Sequence, residues 1–148
     1  MKIAEATRSY DAWTREQIPI VARDLDLKHR LMAKAAFPFL RATFYRWMQV
    51  WAEACPEIAR APTLLAVGDL HVENFGTWRD IEGRLAWGIN DFDETYPLPY
   101  TVDLVRLATS ALLAIREEAL SIDGDRACTA ILDGYAQSLA AEIGRAHV

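Results

Sequence analysis

Two short apolar runs, each stopped by a cluster of acids and amides, constrain this chain more than any other feature. The first is Thr63-Leu-Leu-Ala-Val67, a continuous run that suits a buried strand and ends at Gly68-Asp69. The second is Arg84 to Asn90, where Leu85, Trp87 and Ile89 share one face and Ala86 and Gly88 the other. With Thr77 to Asp80 before it and Glu82-Gly83 as the turn, it reads as a hairpin.

Everything around these runs has helical character. Ser9 to Val21 reads as a helix with surface segments. Asp24 to Ala36 places Leu27, Leu31 and Ala35 at four-residue spacing. Pro38 breaks or restarts that helix, because it lacks an N–H and disfavours helix at Phe37. Phe39 to Ala54 follows as a second helix with Pro38 near its first turn. Its stripe of Phe39, Leu40, Phe44, Trp47, Met48 and Trp51 is read as core packing. Pro56 and Pro62 bracket a connection, and Pro97 and Pro99 mark a loop. Thr101 or Asp103 caps a helix to about Glu118, and Ser121, Asp123 or Asp125 opens a last one to about Ile143. The expected fold is α+β, a small central β unit of strand plus hairpin flanked by helices. The 148 residues form one domain, helical over 1–62, a β and motif core over 63–98, and helical over 99–148.

Charge narrows the function classes. The net charge is −5 at pH 7. Wholesale binding to nucleic acid or anionic membrane needs basic surface, so neither partner is expected. The acid is unevenly placed. Residues 67–103 hold 8 acidic and 2 basic residues, and residues 1–66 hold 7 acidic and 10 basic. Cys55 and Cys128 are too few for a disulfide framework or a thiolate zinc site and are read as small buried hydrophobes. No apolar run reaches membrane-span length and no signal-peptide core opens the chain, so a cytoplasmic protein is expected.

The acidic stretch carries the candidate chemistry. Gly68-Asp69-Leu70-His71-Val72-Glu73-Asn74-Phe75-Gly76 follows the first strand, and Asn90-Asp91-Phe92-Asp93-Glu94 follows the second. Two neighbouring strand ends with carboxylate and amide oxygens suit a hard cation. Mg²⁺ takes one or two carboxylates and leaves positions for phosphate and water. Asp103 adds a carboxylate at the next helix. Either cluster alone reads more readily as turn formers and caps. In sequence together they favour a site.

GDLHVENFG, then INDFDE, then DLVRLATSA, with FPFLRATFYRW upstream, resembles the bacterial family of unknown function DUF2252 over about residues 28 to 116. Members are usually considerably longer, so the resemblance implies a short or truncated member whose downstream part is absent. The same order is distantly similar to the catalytic half of aminoglycoside and choline kinase-like phosphotransferases, and so to a protein-kinase-like C-lobe. Carried over by position, that resemblance implies Asp69 as the base, Asn74 and Asp91 as Mg²⁺ ligands, and Asp103 as the structural Asp that follows. His71, Glu73 and Asp93 stand near the site without an assigned step. ATP is the implied co-substrate, with a small-molecule or other phosphoryl acceptor.

The chain departs from that pattern. Val67 stands where His is usual, and no glycine-rich phosphate loop, Walker A pattern or strand lysine precedes the motif. Lys28, Arg30, Lys34 and Arg41 would contact phosphate instead. Arg30, Lys34 and Arg41 share a face if one helix runs through Pro38, although a solvated basic face is the plainer reading. Two alternatives stay open. One is a metal-dependent phosphoester hydrolase starting from Asp69-Leu70-His71, for which only His29 and His147 remain as further histidines. The other is a non-catalytic binding or fragment domain that self-associates or requires a partner for its missing lobe, leaving this short form inactive.

Overall fold

The computed structural model describes residues 1–145. The chain divides into two compact units, Met1–Arg60 and Ala61–Val148, with the boundary inside the connection bracketed by Pro56 and Pro62.

The first unit is helical: α1 (Ile3–Gln17), α2 (Ala22–Met32), α3 (Ala36–Ala42) and α4 (Phe44–Ala54). Helices α1 and α4 meet at Tyr10, whose ring stacks on Tyr45 with centroids 4.2 Å apart, and Ala6 of α1 is fully buried. Thr7 Oγ1 and the Tyr45 hydroxyl share a hydrogen bond of 2.9 Å beside that stack. Leu40 and Trp51 are buried, as the aromatic stripe predicts. Pro38 does restart the helix, but three residues earlier than expected, because a proline is tolerated within the first turn where its missing N–H has no partner to lose. A second break at Thr43 divides the expected single helix over 39–54 into α3 and α4. Thr43 Oγ1 donates to the Phe39 carbonyl at 2.7 Å, so its side chain competes with the helix ladder at that point. The ladder also stops at Met32, and Ala35 is extended. Arg30, Lys34 and Arg41 therefore do not lie along one continuous helix.

The second unit holds both strand pairs and two long helices. Strand β1 (Thr63–Ala66) pairs antiparallel with β4 (Tyr96–Pro99), and β2 (Phe75–Arg79) pairs with β3 (Leu85–Ile89) as a hairpin. Helices α5 (Thr101–Glu117) and α6 (Gly124–Arg145) complete it, and Tyr100 stacks on Tyr135 with centroids 5.8 Å apart. The fold class is α+β, with six helices and two antiparallel two-stranded sheets among the described residues.

Two expectations change here. Residues 96–99 form a strand rather than a loop. Antiparallel partners use the N–H groups of alternate residues, and Pro97 and Pro99 fall in the same phase. In that register Leu64 faces Leu98 and Ala66 faces Tyr96, and the Tyr100 N–H to Pro62 carbonyl bond of 3.2 Å continues the phase. Both prolines thus point their nitrogens away from β1. The first apolar run is also not fully buried. Ala66 is, but Leu65 is 76% exposed, because β1 has one partner strand and, among the described residues, no second layer closes over Leu65.

Asp123 Oδ1 accepts the Arg126 N–H at 3.0 Å, capping the start of α6. Cys55 and Cys128 are free and half-buried rather than core residues. Among the described residues no helix is long and apolar enough to cross a membrane.

The proline phase is testable. Leu98→Pro removes a ladder N–H and is expected to cost about 2 kcal/mol or more, whereas Pro97→Ala stays within about 1 kcal/mol of wild type. Denaturant unfolding of the two variants measures both.

Candidate functional site

Strand order brings the two polar clusters together. Because β1 and β4 run antiparallel with the β2–β3 hairpin nested between them, the loop leaving β1 and the loop entering β4 lie at one end of the unit. The Asn90 N–H donates to the Asn74 carbonyl at 3.0 Å, tying the clusters backbone to backbone. Gly68 permits the rest of the approach. Its φ is +91°, and a Cβ built there would lie 2.4 Å from the Glu94 carbonyl oxygen.

The loop after β1 is fastened to one face of α5. Asp103 Oδ2 accepts the Val67 N–H at 2.7 Å, and Oδ1 accepts the Gly68 N–H at 2.9 Å. Asp103 therefore binds another segment rather than capping its own helix, and Tyr100 occupies the cap position without a side-chain bond. One turn on, Arg106 Nε donates to Asp69 Oδ1 at 2.6 Å, and Arg106 Nη2 donates to the same oxygen. A further turn on, Ser110 Oγ accepts the Val72 N–H at 3.0 Å and donates to the Leu107 carbonyl at 2.7 Å. Residues 103, 106 and 110 share a helix face by their spacing. Arg106 and Ser110 are fully buried, and the Asp69 side chain is only 13% exposed.

Asn74 closes the loop. It ends a 3-10 turn over Val72–Asn74, is buried, and accepts the His71 N–H on Oδ1 at 2.7 Å. An amide oxygen has a second lone pair, so this bond shapes the loop without exhausting the acceptor. His71 is buried and Glu73 is exposed. Asp91 and Asp93 are exposed, and Asp91 Oδ1 faces the Asp93 N–H at 3.4 Å. Lys34 and Arg41 belong to the first unit, Lys34 in the turn after α2 and Arg41 in α3. His29 is also there, its Nε2 lying 3.0 Å from Asp11 Oδ2. His147 lies outside the described residues.

Three further residues belong to this arrangement. Arg106 and Ser110 hold the loop, and the signal for them is polar spacing of three and four along the otherwise apolar DLVRLATS segment. Glu94 is the third. Partial withdrawal from water raises its carboxyl above the ordinary range, and the charges of Asp69, Asp91 and Asp93 raise it further. Burial likewise raises Asp103, against the lowering effect of its two backbone bonds. Burial pulls the Arg106 guanidinium down, and Asp69 and then Glu94 hold it up. Among the described residues no three carboxylate, imidazole or thiol groups converge closely enough to hold a metal by themselves. Beneath the loop lies a cavity of about 550 Å³, lined by residues such as Leu64, Leu70, Phe75, Leu107 and Ile131 with Asp103 at its wall.

The unit is thus an α+β scaffold that presents an acid-lined pair of loops at one end. The family described as an uncharacterized protein conserved in bacteria, DUF2252, matches residues 20–147, and the chain belongs to it. That match extends beyond the motif region on both sides. No curated protein and no solved structure matches the chain.

Two predictions follow the geometry. Asp103→Ala removes both acceptors from the Val67 and Gly68 amides and is expected to cost about 2–4 kcal/mol, with faster hydrogen exchange at those two amides. For Glu94 the folded-state carboxyl lies above its unfolded value, so the fold binds the extra proton. Stability then falls as pH rises from the ordinary glutamate range through the raised value. Glu94→Gln is accordingly expected to raise the melting temperature at pH 7 and to leave it unchanged below the ordinary glutamate range.

Proposed function

We propose that this chain carries the core of a Mg²⁺- and ATP-dependent phosphotransferase of the kinase-like type, acting on a small-molecule or other hydroxyl acceptor. The observation that supports it is the meeting of the two strand-end loops, with Gly68 against Glu94 and Asn90 bonded to Asn74. That places the Asp69–Asn74 segment beside the Asp91–Glu94 segment, which is the juxtaposition the motif order requires.

Each residue has a chemical role in this reading. Asp69 accepts the proton of the attacking hydroxyl. Asn74 and Asp91 supply oxygen ligands for the cation. One or two carboxylates with phosphate and water are the usual donors for Mg²⁺, so the oxygen chemistry of this set fits the ion. Mg²⁺ held by Asn74 and Asp91 would supply positive charge to offset that of the ATP phosphates. Asp103 holds the loop that carries Asp69. Asp93 and Glu73 add negative charge, and His71 is buried within the loop.

A second reading has its own support. Leu85 and Trp87 share a hairpin face and are 68% and 71% exposed, and such apolar surface favours a partner or a second copy of the chain. A monomer that persists at high concentration in sedimentation would count against it.

Calorimetry tests the first reading. Wild type is expected to bind Mg²⁺ and ATP together, with affinity about tenfold or more lower in Asp91→Ala. Asp69→Asn should retain that binding and lose phosphoryl transfer. Absence of binding in wild type, or equal binding in Asp91→Ala, overturns the proposal.

A further inference from the structure

We infer that Arg106 is the positioning residue of the site, gripping Asp69 from α5 and aiming its carboxylate at the space shared with Asp91, Asp93 and Glu94. This rests on the reading of Asp69 as proton acceptor and adds to it the group that sets its geometry.

Three observations carry the inference. Arg106 is fully buried, so it acts through another residue rather than on a substrate. Its Nε and Nη2 both donate to Asp69 Oδ1. Two donors of one planar guanidinium converge on Oδ1 and pin that oxygen, which the point charge of an ammonium does not. Finally, Arg106 stands between Asp103 and Ser110 on the same helix face, and their bonds to the amides of Val67, Gly68 and Val72 hold the loop on both sides of Asp69. The carboxylate is thus fixed by its side chain at the one point where the backbone is also clamped before and after it.

The guanidinium has a second effect. It neutralises Asp69 within the crowd of acids, so the charge met by an incoming cation is set by Asp91, Asp93 and Glu94. Aim and charge are separable by substitution. Arg106→Lys keeps the charge and loses the fork. Arg106→Met loses both.

The full chain is used, with three readouts. In Arg106→Lys, Mg²⁺ affinity by calorimetry is expected to stay within about twofold of wild type, while ATP-dependent turnover falls about tenfold or more at unchanged KM for ATP. In Arg106→Met, Mg²⁺ is expected to bind about threefold or more tighter, and the acid limb of the pH–rate profile to move to higher pH. A purely structural role would weaken binding and turnover together and leave the profile in place. Wild-type turnover in Arg106→Lys overturns the inference, and so does weaker Mg²⁺ binding in a folded Arg106→Met. If Arg106→Met does not fold, the lysine variant decides alone. If wild type binds neither Mg²⁺ nor ATP, the phosphotransferase reading fails separately, and amide exchange decides this one. Leu70 and His71 amides should then exchange about tenfold faster in Arg106→Lys with Val67 and Gly68 unchanged, and equal exchange at all four overturns it.

Discussion

The buried pair of Arg106 and Asp69 is the interaction on which the second unit depends. Taking a guanidinium wholly out of water costs several kcal/mol, and only a well-placed carboxylate offsets it. Asp69 is that partner, and it sits on the loop between β1 and β2. The consequence is that α5 and the loop have one permitted arrangement. Asp103 and Ser110 extend the constraint along the helix by accepting backbone N–H groups that would otherwise be buried without partners. Side chains of α5 thereby hold the loop at Val67, Gly68, Asp69 and Val72.

The acid-rich end of the unit follows from strand pairing. β1 reaches across the hairpin to β4, so Ala66 and Tyr96, 30 positions apart, become partners. Gly68 is needed where they touch, since any side chain there would strike the Glu94 backbone. The cost of the arrangement is electrostatic. Partial withdrawal from water raises the Glu94 carboxyl above its ordinary range, and the charges of Asp69, Asp91 and Asp93 add to that rise. Protonation of Glu94 relieves that cost.

Much of the fold was legible. Periodicity marked the helices, and the hairpin declared itself through the Glu82-Gly83 turn and the alternation after it. The errors share a cause. Pro97 and Pro99 look like loop residues because proline is excluded from central strands, yet β4 is paired on one side only and both nitrogens face outward. Thr63 to Val67 looks buried because a run of apolar residues carries no sign of how many layers will cover it. Thr43 looks helical in a strong apolar stripe, and its hydroxyl bond to Phe39 interrupts the helix locally.

By itself the sequence determined the α+β class, the family and the two motif clusters, because each depends on residue type and short-range spacing. It also marked Asp69, Asn74, Asp91 and Asp103 as residues of interest. Only the tertiary structure decided what holds them. Arg106 reads as one charge in an apolar helix until its partner, 37 positions back, is brought against it. Asp103 reads as a helix cap until the Val67 and Gly68 amides arrive. Glu94 reads as the last acid of the second cluster until Gly68 is brought against its backbone carbonyl. Each of these roles arises from groups distant in the chain competing for the same small volume, and no local pattern records that competition.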